Sequence, residues 1–312
     1  METQPDEGAM SKLHKHHICV CICTYKRPEY LLRLLKEIEK QKTEGLFDYS
    51  IVIVDNDSAQ SAKLPVAQFT QQSKLSIDYF VQPEQNIALA RNKALENSEG
   101  DFVGFIDDDE YPVENWLLEH YKAIHKYKAD GILGPVLPDY EKVPPKWVLK
   151  GRFFDRPSLQ SGFILSWNDT RTGNALLKRD LFKEPGQWFD PKHGSGGEDK
   201  DFFRKKIDDG HVFVWCNEAP VYETVPQARW KRPFMLKKAL LRGKVVFETS
   251  SNKSSEILKS LPAITVYTLS LPFLLILGHH CFMTYLIKDC DHIGKVLAAV
   301  GIDIVKQNYI TH

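Results

Sequence analysis

The chain carries no net charge at neutral pH, because its 41 basic side chains are balanced by 41 acidic ones over 312 residues. Domains that bind nucleic acid are normally basic, so this balance argues against a nucleic-acid partner. Charged residues make up 26% of the chain and apolar residues 43%, which excludes a disordered, collagenous or coiled-coil protein. The length suggests one large domain, or one domain with an appendage, and is ample for a buried core.

The sequence also lacks cysteine pairs at the spacing of a metal or redox motif. The six cysteines include no Cys-x-x-Cys motif that could bind zinc or act in redox chemistry. Cys19, Cys21 and Cys23 alternate along one apolar run, so a strand would place all three thiols on one face. We therefore expect buried, reduced thiols, as in a cytosolic protein.

The first 16 residues are polar and lack the apolar stretch of a secretory signal peptide. No internal repeat or low-complexity tract occurs in the chain. These two absences predict an ordinary folded domain that faces the cytoplasm.

Strand and helix patterns alternate over the first 135 residues. Strands are predicted at residues 17–24, 50–55, 77–81, 101–107 and 131–137, and helices at 30–41, 86–97 and 116–128. Asn86 is well placed as the N-cap of the second helix. The alternation predicts an α/β fold with βαβ units in a doubly wound sheet.

The second half of the chain is less regular. Three prolines, Pro138, Pro144 and Pro145, predict an ordered loop at residues 138–156, and apolar runs predict strands at 161–167, 173–178 and 211–216. Residues 193–197 form a glycine-rich loop that opens into a helix near Glu198.

Net neutrality hides a local excess of basic residues. Residues 229–259 contain nine Lys or Arg and only two Glu, and an uncharged run follows at 261–287. This run of 27 residues is long enough to cross a bilayer, although Pro262 and Pro272 would kink it. A hydrophobic hairpin in one leaflet and a buried core helix are the alternatives. Because anionic lipid attracts nearby Lys and Arg, the sequence predicts contact with an anionic membrane surface, with the main domain on the inner side.

Acidic residues follow two of the predicted strands. Asp55 and Asp57 end one of them, and Asp107, Asp108 and Asp109 end another. Ligands of open α/β sheets bind beyond the carboxyl ends of the strands. Mg²⁺ or Mn²⁺, held by one or two carboxylates and by diphosphate oxygens, would suit such a cluster. A run of three Asp residues alone could equally be a solvated turn or a helix cap.

Six ordered blocks resemble the family 2 glycosyltransferases of the GT-A fold. They are CTYKRP (23–28), VDNDS (54–58), NIALARNKAL (86–95), FIDDDE (105–110), TGNALLKRDLF (172–182) and GGEDKDFF (196–203). Residues 134–148 and 221–230 further resemble bacterial exopolysaccharide glucosyltransferases of the succinoglycan type. The resemblance implies a GT-A catalytic domain at residues 17–228, with a polar tail at 1–16, a basic amphipathic segment at 229–260 and a hydrophobic membrane-associated tail at 261–312.

The resemblance also implies roles for single residues. Asp199 would be the catalytic base that takes the proton of the acceptor hydroxyl, with Glu198 as a hydrogen-bond partner on the acceptor side. Asp109 would hold Mg²⁺ or Mn²⁺, with Asp107 sharing the ion or binding the ribose. The remaining donor-binding candidates are Thr24, Tyr25, Asn56, Asp57, Arg91, Asp108, Gly173, Asn174 and Arg229. Tyr25 would stack on the base, Gly173 and Asn174 would form part of the sugar pocket, and Arg229 would clamp the diphosphate.

This chain departs from the family pattern at three places. Asn56 stands where relatives carry the acid that reads the base, so uracil is favoured but not assured. Tyr222 and Glu223 occupy the region where relatives carry a metal-binding His, which leaves Glu223, His193 and His211 as substitutes. The Gln-x-x-Arg-Trp box of processive synthases is one residue short at residues 227–230, which favours the addition of a single sugar.

The implied activity is an inverting, metal-dependent transfer of one hexose. The donor would be a nucleotide-diphosphate sugar, with a UDP-sugar favoured, and the acceptor a polyprenyl-diphosphate-linked saccharide at the cytoplasmic face of the inner membrane. A sugar-phosphate nucleotidyltransferase is one alternative, although such enzymes need a glycine-rich loop after the first strand and CTYKRP has no glycine. A catalytically inactive, membrane-associated sugar-nucleotide-binding module is the other.

Overall fold

The computed structural model describes residues 15–302, apart from residues 185, 195 and 251. The strands are β1 (His16–Thr24), β2 (Phe47–Asp55), β3 (Ile77–Val81), β4 (Phe102–Phe105), β5 (Glu110–Pro112), β6 (Gly131–Leu133), β7 (Val136–Tyr140), β8 (Ala175–Lys178), β9 (Phe213–Trp215) and β10 (Val221–Val225). The helices are α1 (Pro28–Ile38), α2 (Lys63–Thr70), α3 (Ile87–Glu96), α4 (Trp116–Lys126), α5 (Lys146–Gly151), α6 (Glu198–Asp208), α7 (Arg232–Thr249), α8 (Lys253–Leu277) and α9 (His279–Ala299). The predicted polar tail, up to residue 14, and the end of the hydrophobic tail, from residue 303, lie outside the described residues.

The chain forms two compact units. The first comprises the residues up to Val136 together with Ser158–Val221, and the second comprises Leu137–Pro157 and the residues from Tyr222 onward. The first unit is built on a seven-stranded sheet of order β3-β2-β1-β4-β8-β6-β9. β1 runs parallel to β2 and β4, whereas β8 runs antiparallel to both β4 and β6, so the sheet is mixed.

Side-chain alternation in β1 supplies both faces of this sheet. Ile18, Val20 and Ile22 pack into one core cluster with apolar residues of α1 and α4. Cys19 and Cys21 pack into the opposite cluster with residues of α3 and α6. This arrangement confirms that the thiols share one face, and all six cysteines are unpaired. A sheet covered by helices on both faces explains why its central strands have few polar residues.

Three predicted elements differ from the structure. The strand expected at 131–137 is split into β6 and β7, because Pro135 between them has no N–H to continue a ladder. The loop expected at 138–156 contains the end of β7 and α5. The strand expected at 161–167 is reduced to an isolated bridge between Ile164 and Val214, and Ile164 is 67% exposed, so it has no sheet face to cover.

The second unit has a small core and three long helices. Val148, Val225 and Trp230 are buried together, with Tyr140 and Phe154 packed against them. α7 and α8 both pack against α9, and α8 turns into α9 at Gly278, whose φ of +134° suits glycine. α8 continues through Pro262 and Pro272, and it is the one described helix that is long and apolar enough to cross a membrane, with a mean hydropathy of 1.8.

Candidate active site

The parallel register of β1 and β4 brings their carboxyl ends to one edge of the sheet. Cys21 pairs with Phe105, so Thr24 lies level with Asp108 three residues further along each strand. Accordingly, Thr24 Oγ1 donates a hydrogen bond to Asp108 Oδ2 at 2.7 Å. The predicted gathering of motif residues at this edge is therefore present in the structure.

Arg27 forms ion pairs with two residues of the acidic run, a role that was not predicted from the sequence. Its guanidinium lies 2.7 Å from Asp108 Oδ1 and 2.8 Å from Asp109 Oδ2. Burial raises the pKa of Asp108 to about 7, although the charge of Arg27 and the hydrogen bond from Thr24 oppose the rise. The Asp108 side chain is only 1% exposed and supports the site from inside the protein, while its role in donor binding remains a prediction. The sequence feature that could have pointed to Arg27 is the Lys-Arg-Pro block after β1.

Asp107 faces outward at the same edge. Its side chain is 48% exposed. A Cβ atom on Gly173 would lie 3.0 Å from Asp107 Oδ2 and 2.9 Å from Glu110 Oε1, so only glycine fits against these carboxylates without a shift. Gly173, which was predicted in the sugar pocket, therefore lies beside the acidic run.

Arg91 joins two of the predicted blocks. It is buried in α3, where one Nη atom forms an ion pair with Glu198 Oε1 and the other lies 3.4 Å from Asp107 Oδ1. α3 is positioned by its N-cap, since Asn86 Oδ1 accepts hydrogen bonds from the N–H groups of Ala88 and Leu89, as predicted. The buried Arg91 thus fixes the end of β4 against the start of α6.

Glu198 and Asp199 begin α6 but have different surroundings. Gly196 and Gly197 precede them with φ values of +133° and +99°, which glycine adopts readily. Glu198 is 3% exposed, and its Oε2 finds no hydrogen-bond partner within the described part of the chain. Asp199 is only half-buried, and its Oδ1 accepts a hydrogen bond from Lys200 N at 2.7 Å. Of the two carboxylates, Asp199 is the one accessible to a substrate.

The side chain of Asn56 forms hydrogen bonds with the protein backbone. Its Nδ2 donates to Gln82 O at 2.8 Å and to Glu84 O at 2.6 Å, and its Oδ1 accepts from Asn86 N at 2.9 Å. The side chain is buried and fixes the segment that leads into α3. A role for Asn56 in donor binding remains a prediction.

The amide of Asn174 is likewise fully engaged. Oδ1 accepts from Trp116 Nε1 at 2.7 Å and lies 2.7 Å from His120 Nε2, while Nδ2 donates to Pro135 O and Ala219 O. The residue is 0% exposed and adopts φ +64°. Both donors and both acceptor positions of this amide are therefore filled by protein groups. The structure thus shows a structural role for Asn174, and its place in a sugar pocket remains a prediction.

The other candidates are placed as follows. Tyr25 is half-buried just beyond β1, with Lys26 Nζ 5.0 Å from its ring centre. Asp57 is buried beyond β2, where it accepts from Ala59 N at 3.1 Å. Arg229 and Glu223 belong to the second unit, in which they form an ion pair of 2.6 Å.

One possible metal-binding group was not predicted as such. Asp190, His193 and Asp201 have ligand atoms within 4.8 Å of one another, the one such trio within the described ranges. Asp201 is already paired with Lys205 at 2.7 Å and with Arg204 at 2.8 Å, which hold its pKa below the ordinary value although burial opposes this. His211, another candidate, lies 3.5 Å from Asp130.

The chain is similar to known proteins in sequence and in fold. The family model described as Glycosyl transferase family 2 matches residues 19–185. The succinoglycan biosynthesis protein ExoM of Rhizobium meliloti (strain 1021) is 34% identical over 232 residues, which are 73% of this chain and 73% of that protein.

Solved structures share the fold. The S. aureus protein TarS (residues 1–349) in complex with UDP-GlcNAc superposes with a TM-score of 0.55 at 16% identity, covering 93% of this chain and 95% of that one. GalNAc-T7 with UDP, GalNAc and Mn²⁺ gives a TM-score of 0.54 at 14% identity, covering 81% of this chain and 51% of that one. At these identities the likeness concerns the fold, and it confirms the predicted GT-A architecture.

Proposed function

The chain belongs to glycosyl transferase family 2, and from this premise we propose that it is an inverting hexosyltransferase. It moves a single hexose from a nucleotide-diphosphate sugar to a membrane-linked saccharide, in the synthesis of a surface polysaccharide or glycolipid. The observation that carries the proposal is the bridge formed by buried Arg91 between Asp107 and Glu198. This bridge joins the acidic end of β4 to the start of α6, where Asp199 remains accessible.

Asp199 is the base in this proposal. Direct displacement at the anomeric carbon requires a carboxylate that takes the proton of the acceptor hydroxyl. Glu198 is buried and neutralised by Arg91, which makes it a poor proton acceptor. Asp199 is half-buried and stands beside it in the first turn of α6. Glu198 would instead orient the acceptor or the donor sugar through its second oxygen.

The donor in this proposal is a UDP-sugar. Support comes from the related fold of TarS, which was solved with UDP-GlcNAc. Tyr25 and Asp57 follow the neighbouring strands β1 and β2, so a base and a ribose could bind there. ExoM, as a succinoglycan biosynthesis protein, supports a polysaccharide product.

A divalent cation, Mg²⁺ or Mn²⁺, fits the chemistry of the carboxylates. Oxygen ligands are those that these ions prefer, and Asp107 presents a half-exposed carboxylate at the sheet edge. Asp107 and Asp109 would hold the ion, which when bound would stabilise the negative charge of the departing diphosphate. Arg27 fixes the second of these carboxylates in position.

The acceptor is proposed to be lipid-linked, at the cytoplasmic face of the inner membrane. Support comes from α8, which turns its polar side toward α9 and its apolar side outward, as a helix in contact with lipid does. Thr268 Oγ1 donates to Asp289 Oδ2 of α9 at 2.9 Å, and Lys295 of α9 binds Glu256 at 2.6 Å. The outward face carries exposed apolar residues instead: Leu258, Leu261, Leu269 and Ile276. Helices in contact with lipid place polar groups toward the bundle and apolar groups outward. The basic residues of 229–259 would bind anionic headgroups beside it.

The substitution Asp199→Asn tests the proposed base. We expect turnover, measured as UDP released from a UDP-sugar in the presence of Mn²⁺ and acceptor lipid extract, to fall about 100- to 10,000-fold, because general base catalysis contributes that much. Donor affinity, measured by thermal shift with UDP, should stay the same. Asp208→Asn at the other end of α6 is the matched control and should retain activity.

Removing divalent ions tests the cation within the same assay. Wild-type turnover should stop in EDTA and return with Mn²⁺. Retained turnover in Asp199→Asn would exclude this residue as the base, and full activity in EDTA would exclude the metal. If UDP-, GDP-, dTDP- and CDP-sugars all failed to stabilise the wild-type protein, the proposed activity itself would be wrong.

A further inference from the structure

The second unit contains a charged cavity that the proposed chemistry does not use. Its volume is about 230 Å³. Its lining residues are Phe153, Phe154, Asp155, Arg156, Glu223, Arg229, Phe234, Met235, Lys238, Arg242 and Ile287. Small-molecule pockets usually measure about 300–1,000 Å³, so this cavity suits a headgroup better than a whole nucleotide sugar.

Two of its four basic side chains share one acid. Glu223 forms ion pairs with both Arg156 and Arg229, the latter at 2.6 Å, and its side chain is 18% exposed. Two guanidinium groups are therefore held together at the cavity wall by a single carboxylate. Planar guanidinium groups match the oxygen geometry of phosphate.

Lys238 adds a cation that is not neutralised in this way. It forms no salt bridge with any carboxylate in the part of the chain that the structure describes. Loss of hydration and the nearby charges of Arg229, Arg156 and Arg242 hold the pKa of Lys238 below its ordinary value, although Glu223 acts in the opposite direction. Arg242 is satisfied separately by Asp291 through two hydrogen bonds, at 2.8 and 2.6 Å. An anion beside Lys238 would relieve this local excess of positive charge.

The rest of the wall is apolar except for Asp155, which forms an ion pair with Arg152 at 2.7 Å. Phe153, Phe154, Phe234 and Met235 line it together with Ile287 of α9. α9 packs against α8, whose outward face is apolar. Cations and apolar side chains in one cavity match an amphiphile that carries phosphate on a hydrocarbon chain.

We propose that this cavity binds the diphosphate group and the first isoprene units of the lipid acceptor. The inference rests on the proposed glycosyl transfer to a membrane-linked saccharide and assigns a binding site to the lipid carrier. Arg156, Arg229 and Lys238 would contact the phosphate oxygens, and the phenylalanine side chains would contact the hydrocarbon.

The test measures the binding of geranyl diphosphate to the full chain in detergent by isothermal titration calorimetry. Lys238→Gln should weaken binding about 10-fold or more, because a hydrogen bond between charged groups is lost. Lys237→Gln is the matched control: it removes the same charge from the adjacent position of α7, and Lys237 does not line the cavity. It should change the affinity less than twofold.

Two further ligands identify the source of the phosphate. Inorganic diphosphate should bind at least about 10-fold more weakly than geranyl diphosphate, and geraniol should not bind measurably. Equal affinity for inorganic and geranyl diphosphate would overturn the lipid assignment in favour of free diphosphate. Equal losses of affinity for geranyl diphosphate in Lys237→Gln and Lys238→Gln would overturn the inference, because the ligand would then be attracted by the general positive charge of α7 and not bound in the cavity.

Donor binding separates this inference from the proposed function. Lys238→Gln should keep the wild-type thermal shift with UDP, because the donor is assigned to the first unit. If UDP displaced geranyl diphosphate from the wild-type protein, the cavity would belong to the donor and the inference would fall. If wild-type protein bound no nucleotide at all, the proposed function would fall, whatever the lipid result.

Discussion

His120 is fully buried in the first unit, where its Nε2 faces Asn174 Oδ1 at 2.7 Å. Because the Asn174 amide donates to two carbonyl groups, its oxygen must accept, so Nε2 of His120 carries the hydrogen. Nδ1 finds no partner among the described residues, which fits a neutral ring. Burial lowers the pKa of His120 to about 4, although the hydrogen bond opposes this.

This histidine should make the protein less stable in acid. An unfolded histidine has a pKa near 6.5, so below that pH the unfolded state binds more protons than the folded state. The contribution of the neutral, buried His120 to the stability of the fold is complete above pH 6.5, and it is lost as the pH falls from 6.5 through about 4. Between pH 7.5 and 5.5 the loss from His120 is about 1 kcal/mol in the free energy of unfolding. Urea denaturation of the full chain at the two pH values measures it.

His120→Gln is the control for this pH effect, because its amide can still donate to Asn174 Oδ1 without titrating. The variant should be less stable at pH 7.5, yet its free energy of unfolding should change less between the two pH values than that of the wild type. An identical change in both proteins would show that other groups cause the acid sensitivity.

Single residues also show where sequence reasoning about the site stops. The structure brings together three of the candidate residues, Asp107, Arg91 and Glu198, which belong to three separate blocks of the sequence. Sequence reasoning assigned Asn56 and Asn174 to the substrate, although both amides bind backbone carbonyls. An amide in a motif can serve either purpose, and only the positions of distant carbonyl groups decide between them.

At the scale of elements, α7 and α9 cross with almost no space between their backbones. A Cβ atom on Gly243 would lie 2.0 Å from Asp291 O, and one on Gly294 would lie 2.2 Å from Leu240 O. Both contacts are with backbone atoms, which cannot rotate away as a flexible side chain can. The two glycines therefore set the distance between these helices.

Gly294→Ala should force the two helices apart. We expect it to lower the free energy of unfolding by about 1–3 kcal/mol, the usual cost of overpacking, and circular dichroism melting of the full chain measures this. Gly104→Ala in β4 is the control, because its Cβ would lie 3.6 Å from the nearest atom, which is an ordinary contact. Gly243→Ala combined with Gly294→Ala should cost less than the sum, since one separation relieves both clashes. Additive costs would mean that the two contacts are independent.

The elements that were predicted best from the sequence are the strands that are buried on both faces of the sheet. β1, β2 and β4 are buried on both faces, and their apolar runs marked them clearly. The run at residues 161–167 is equally apolar, yet Phe163 and Ile164 are 49% and 67% exposed. Hydrophobicity predicts burial only where the fold supplies a surface to cover, which a local pattern does not contain.

At the scale of the whole molecule, the neutral charge is a sum over regions of opposite sign. The carboxylates of residues 107–110 belong to the first unit, and the basic residues of 229–259 belong to the second. The sequence placed the boundary at residue 228, whereas the second unit also includes Leu137–Pro157. That segment joins the second unit through Val148, which packs with Val225 and Trp230, a long-range contact that no sequence boundary marks.

The outward face of α8 bears on the proposed contact of the protein with lipid. Leu269 and Ile276 are 69% and 84% exposed, whereas Ser260 on the opposite side is 0% exposed, against α9. Water would favour the reverse arrangement, since burying a large apolar side chain contributes about 1.5–3 kcal/mol. An exposed apolar face on a helix with a polar inner side supports the proposed contact with lipid.

The double substitution of Leu269→Glu and Ile276→Glu should abolish this contact. We expect flotation with vesicles of phosphatidylcholine and phosphatidylglycerol to fall at least about 10-fold, because two apolar side chains are replaced by charges that lipid disfavours. Leu64→Glu on α2 is the matched control, since Leu64 is also exposed, at 66%, and lies in the first unit. Unchanged flotation of the double variant, with a lower melting temperature than the control, would mean that protein and not lipid covers this face. Flotation that is lost in 0.5 M salt in the wild type would assign membrane binding to the basic residues alone.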